Sequence, residues 1–111
     1  MMTHQSRVCS HSRGVILRDI KPRNFAIGAG RRCGIAYLFD FGLAKLFVDP
    51  ANRAHIPFRE GLVGLGTVRC ASANVHFGRE QGRRDDIEGL GYVLLLLPRE
   101  ASVARHLYAE R

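Results

Sequence analysis

Apolar residues in the first seventy positions come in short runs rather than in long periods. Val15-Ile16, Phe25-Ala26-Ile27 and Ile35 to Phe39 are brief apolar pieces separated by polar segments. Pro22 lacks a backbone donor, so no helix passes through the polar loop between the first two pieces. Gly28-Ala29-Gly30-Arg31-Arg32 is turn chemistry, and the run after it predicts a strand returning beside the loop. Residues 43–68 carry Pro50, Pro57, Gly61, Gly64 and Gly66 and predict a long irregular segment, a kind that is usually functional. Residues 2–12 predict a last turn or two of helix, ended by Gly14. The one strong helix opens at Asp85-Asp86, whose charges suit the positive end of the helix dipole. Ile87, Leu90, Val93, Leu94 and Leu97 recur at helical spacing, and Leu95 and Leu96 make the surface apolar nearly all round. Such a helix belongs in the middle of a protein, and Pro98 is expected to stop it.

Composition narrows the class without deciding it. A chain of 111 residues is one small domain at most, and 46% hydrophobic with 24% charged residues is ordinary for a soluble globular protein. The net charge of +7 comes mostly from arginine, fifteen against two lysines. Only Arg31-Arg32 and Arg83-Arg84 are adjacent, whereas a nucleic-acid domain would concentrate its charge and interleave aromatics. The expectation is a solvated basic surface with some attraction to acidic or phosphorylated partners, and no nucleic acid. Three cysteines without a C-x-x-C spacing indicate neither a disulfide framework nor a zinc site, which fits a reducing, intracellular setting, cytoplasmic or nuclear. The first thirteen residues lack the apolar stretch of a secretory signal, and Leu90 to Leu97 is too short to span a bilayer.

The chemistry lies in Asp19-Ile20-Lys21-Pro22-Arg23-Asn24 and Asp40-Phe41-Gly42. Phosphoryl transfer asks for a carboxylate to orient the attacking hydroxyl, cations to neutralise the phosphates, and hard oxygens to hold magnesium. Asp19 suits the first task, and Lys21 can reach a transferring phosphate from the same loop. Asn24 and Asp40 offer the oxygen ligands that a small hard cation prefers. A hairpin through residues 28–34 would carry Asp40 back beside Asn24. Either motif alone is weak; the two in this order form the protein-kinase set. Gly28-x-Gly30 follows the loop and lacks a third glycine, so it reads as a turn and not as a phosphate-covering loop.

Beyond these motifs the chain resembles the casein kinase I family of serine/threonine protein kinases, from about Ser6 to Leu97. The resemblance is carried by His11-Ser12-Arg13-Gly14-Val15-Ile16, the loop through Asn24-Phe25, His55-Ile56-Pro57-Phe58-Arg59-Glu60, Gly66-Thr67-Val68-Arg69 with Ala71-Ser72, and Arg83-Arg84-Asp85-Asp86-Ile87-Glu88. Ser72-Ala73-Asn74 stands where that family has a S-I-N tripeptide in place of A-P-E. Asn24-Phe25-Ala26-Ile27-Gly28 is also similar to the related tau-tubulin kinases. The resemblance implies an α+β fold: a partial kinase C-lobe, mainly helical, with short β-hairpins around the catalytic loop. It implies Asp19 as catalytic base, Lys21 as the phosphate-contacting lysine, and Asn24 and Asp40 as magnesium ligands. It implies Arg69 as a contact for an acidic or phosphorylated group of a protein substrate, and Asp86 as the buried acid that holds the catalytic loop. ATP and Mg2+ are the cofactors it implies.

Several positions depart from that pattern. Leu17 replaces the histidine of H-R-D, keeping packing and losing a polar contact of about 1 kcal/mol. Arg23 and Cys70 replace residues that bear on substrate preference. The expected organisation is a partial kinase domain over residues 6–97 and an atypical tail over 98–111. Codons for Ser102 to Leu107 can be chosen so that the neighbouring frame spells Pro-Trp-His-Gly-Ile, close to the family's own continuation, so the tail is expected to be frame-shifted. No glycine loop, strand lysine or adenine hinge precedes Asp19, so the leading expectation is a truncated kinase, inactive alone and holding ATP-magnesium more weakly than about 1 mM. Two other readings stand beside it: an active kinase with an incomplete gene model, and a pseudokinase scaffold for acidic or phosphorylated proteins.

Overall fold

The computed structural model describes residues 10–64 and 66–109. Most of the helical turn expected over residues 2–12 lies outside them; residues 10–12 are helical and end where Gly14 N bonds His11 O. Beyond that first turn, the described residues form a small α+β domain of four short strands, three 3-10 turns and two further α-helices. Strand β1 (Val15–Ile16) pairs antiparallel with β4 (Lys45–Leu46). Strand β2 (Phe25–Ile27) pairs antiparallel with β3 (Ala36–Leu38), Phe25 opposite Leu38 and Ile27 opposite Ala36. The second pair is the hairpin expected from the apolar runs, with the turn between its strands holding a 3-10 helix at Gly30–Arg32. The first pair corrects two expectations. Residues 45–46 are strand rather than irregular chain, and β1–β4 is a long-range closure rather than a hairpin. Two residues carry too little periodicity to be read as a strand, and only the distant partner makes them one.

Helix α1 (Ala73–His76) is capped by Ser72, whose Oγ accepts from Val75 N. Helix α2 (Arg83–Ala109) begins two residues before the acids that announced it and runs through Pro98. The expected stop at Pro98 is therefore wrong. Proline removes one N–H and leaves the Leu94 carbonyl without its helical donor. Leu94 is exposed, so water can satisfy that oxygen, and the alanine-, arginine- and glutamate-rich sequence after Pro98 favours continued helix. No helix among the described residues is long and apolar enough to cross a membrane.

The core gathers under the loop that follows β1. Leu17, Ile20, Cys70 and Val93 are buried together, with Phe25, Leu38, Leu90 and Leu96 packed around them. Gly89 permits the close approach of α2: a Cβ there would stand 3.1 Å from Cys70 O and 3.6 Å from Ile20 Cβ. The helix is apolar nearly all round, and only part of that apolar surface is covered. Val93 is fully buried, but Ile87, Leu94, Leu95 and Leu97 are exposed.

Candidate active site

The loop 17–24 hangs from the first turn of α2. Asp86, 3% exposed, accepts Leu17 N at 2.8 Å through Oδ2 and Arg18 N at 2.9 Å through Oδ1. His11 Nε2 lies 2.8 Å from the same Oδ2. Two backbone donors that a turn cannot pair internally are thus satisfied by one buried carboxylate, which fixes the direction of the chain entering Asp19. Arg18 sits at φ 63°, a left-handed conformation uncommon outside glycine. Its Nε donates to Leu43 O at 2.6 Å, joining the loop to the segment after Asp40-Phe41-Gly42. Leu17 occupies the core, so the position read as having lost a polar contact does keep its packing.

Asp19 is held on three sides. Lys21 Nζ lies 3.2 Å from Oδ2. Asn24, buried, donates through Nδ2 to Asp19 O at 2.9 Å and to Oδ2 at 3.3 Å. Thr67 Oγ1 donates to Oδ1 at 3.3 Å. Thr67 was not singled out as a site residue from sequence. Its approach depends on Gly66, at φ 99°, where a Cβ would stand 2.7 Å from Arg18 O. A glycine directly before a hydroxyl residue in an irregular segment was the available signal.

Asp40 is presented differently. The β2–β3 register brings its strand beside the loop, and Phe39 N donates to Asn24 O at 2.9 Å, which sets Asp40 one residue beyond a bond to Asn24. Asp40 itself is exposed at φ 69°, and its Oδ1 accepts Gly42 N at 3.0 Å. Asp19, Lys21 and Asn24 are therefore in mutual contact, while Asp40 is their neighbour through the backbone. Arg69 lies exposed in a 3-10 turn (Val68–Cys70), away from any ion pair among the described residues.

Two further clusters frame the site. Asp85 Oδ1 accepts Ser72 Oγ at 2.6 Å and Asn74 Nδ2 at 3.2 Å, while Oδ2 accepts Gly82 N at 2.7 Å. Ser72 and Asn74, two apart in sequence, thus converge on one carboxylate and tie α1 to α2. Glu80, also buried, receives Lys45 Nζ at 3.1 Å and Arg59 Nη2 at 2.8 Å. Burial alone would raise its pKa, but the hydrogen bonds and charges of Arg59 and Lys45 outweigh burial and hold it below the ordinary value. Between Arg18, Lys45, Arg59 and Arg79 opens a cleft of about 270 Å³ with a cationic lining. None of these ion pairs was legible beforehand, because their members are 21 and 35 positions apart.

Among the described residues no group of three or more His, Cys, Asp and Glu could hold an ion. A magnesium site needs fewer protein ligands, because this cation keeps waters and takes substrate phosphate oxygens beside one or two carboxylates. The exposed Asp40 carboxylate and the amide oxygen of Asn24 have that chemistry. No protein-family model matches the chain.

Proposed function

We propose that this chain carries the phosphoryl-transfer loop of a casein kinase I-like serine/threonine protein kinase. The observation behind the reading is the triple support of Asp19 by Lys21, Asn24 and Thr67 on a loop suspended from buried Asp86. A carboxylate so held is preorganised to accept a hydrogen bond from a substrate hydroxyl and to take its proton. Lys21 sets a positive charge beside that carboxylate, where negative charge would build up on a transferring phosphoryl group. Asn24 and Asp40 would hold Mg2+, which neutralises phosphate charge when bound with ATP. Thr67 limits the rotation of the Asp19 carboxylate. Arg69, exposed and outside any described ion pair, would meet an acidic or phosphorylated group of the protein substrate.

Two measurements test this. Mn2+ added to isotope-labelled protein should broaden the amide signals around residues 24 and 39–41, and Asp40→Ala should abolish that effect. Uniform broadening, or none, would overturn the metal assignment. Alone, the chain should transfer phosphate to an acidic serine peptide at millimolar ATP only at trace level, and whatever transfer is seen should disappear in both Asp19→Asn and Asp40→Ala. Transfer that survives Asp19→Asn would sink the reading.

The exposure of Arg69 also favours a second reading, a non-catalytic scaffold for acidic or phosphorylated proteins. Phosphopeptide binding lost in Arg69→Ala and untouched by Asp19→Asn would select it.

A further inference from the structure

In sequence, Arg83-Arg84-Asp85-Asp86 is electrically balanced; the fold separates the charges. Both aspartates turn inward, where Asp85 is taken by Ser72, Asn74 and Gly82 and Asp86 by the loop. Both arginines remain outside. The Arg83 guanidinium lies over the Phe47 ring, 4.9 Å from its centroid, and no carboxylate of the described residues is within ion-pair distance of it. Arg84 reaches only the edge of Asp85, Nε to Oδ2 at 4.0 Å, the outer limit of an ion pair.

These two arginines line a groove of about 310 Å³ whose opposite wall is His55, Pro57 and Phe58. Phe58 is 62% exposed. His55 packs against Phe47 with ring centroids 5.6 Å apart, and its Nδ1 donates to Ile56 O at 2.7 Å. Among the described residues the one carboxylate lining the groove, Glu80, is buried and already bonded to Lys45 and Arg59. The groove thus combines an apolar wall with cationic groups that no exposed carboxylate of the described residues lining it offsets.

We propose that this groove docks an extended acidic segment of a partner protein, one apolar side chain flanked by carboxylates. Guanidinium groups bind carboxylates bidentately, and Arg83 is already oriented by its stack on Phe47. Pro57 and Phe58 would receive the apolar side chain. The net charge of +7 draws acidic partners and repels a second copy of the chain. The groove contains none of Asp19, Lys21, Asn24 or Asp40, so the inference does not depend on phosphoryl transfer.

Fluorescence anisotropy of a labelled nonapeptide, one phenylalanine among glutamates and aspartates, tests it on the whole chain. The peptide has no hydroxyl residue and no nucleotide is present, so the result stands whether or not phosphate transfer is observed. Binding should saturate and weaken as salt rises. Arg84→Glu should lower affinity roughly tenfold and Phe58→Ala several-fold, with thermal unfolding unchanged because both side chains are exposed. Wild-type binding by both variants would overturn the proposal. Equal binding of a serine-for-phenylalanine peptide, or of an oligonucleotide of the same charge, would overturn it too, leaving only a charged surface. Loss of binding in Arg69→Ala with none in Arg84→Glu would move the site elsewhere and equally refute it.

Discussion

The loop 17–24 and the segment 39–42 stand side by side and are built on opposite principles. The loop has an apolar underside, Leu17 and Ile20, set in the core, and a polar upper side tied by Asp86, Asn24 and Thr67. The segment has Phe39 and Phe41 at 47% and 59% exposure, with Asp40 bonded to Gly42 of its own turn. One strand bond, Phe39 N to Asn24 O, links the two. Asp19 is thus fixed by the fold and Asp40 is left open, which on the proposed reading separates the base from the metal-holding carboxylate. Rigid placement suits a base whose geometry must be ready before reaction. An open carboxylate costs little to keep in water and is free to take a cation.

The strongest way to break this contrast is at Asp86. Asp86→Ala would strand the buried Leu17 N–H, the part-buried Arg18 N–H and the His11 ring, and should cost about 3 kcal/mol in chemical denaturation. A loss under about 1 kcal/mol would mean the loop is not hung from α2. Gly66→Ala comes next. It forces a Cβ against Arg18 O at a left-handed position and should destabilise by about 2 kcal/mol.

Glu80→Gln weakens three charge-assisted bonds, one from Lys45 and two from Arg59, and should cost about 1–2 kcal/mol at neutral pH. Its pKa is lowered in the folded state. That stabilisation is present above the unfolded glutamate pKa and is lost as pH falls through the lowered folded value. The wild type and Glu80→Gln should therefore converge in stability below the ordinary glutamate range, as measured by melting against pH. A gap that persists into strong acid would contradict the paired state of Glu80. Asp40→Asn should change stability by less than about 0.5 kcal/mol, since the residue is exposed. Equal losses at Asp40 and Asp86 would erase the distinction between the two regions.

The hairpin was readable because three apolar residues, a glycine turn and a second apolar run lie close together in the chain. The start of α2 was readable for the same reason, from its acids and helical spacing. The β1–β4 pair was not, because two-residue strands have no pattern of their own. Pro98 misled because its local preference against helix was set beside neither the solvent at Leu94 nor the helix-forming residues after it.

Asp19, Lys21, Asn24 and Asp40 are singled out by spacing and residue type; the fold puts the first three in contact and brings Asp40 beside them through the backbone. Local sequence also marked the two apolar runs and the glycine turn that form the β2–β3 hairpin. Tertiary structure decided which acids face inward, that Thr67 meets Asp19, that Glu80 joins Lys45 to Arg59, and that Arg83 and Arg84 are left uncompensated. These contacts run between residues up to 75 positions apart. Which carboxylate is buried against which donor depends on how elements pack, and neighbouring residues along a chain hold no record of that.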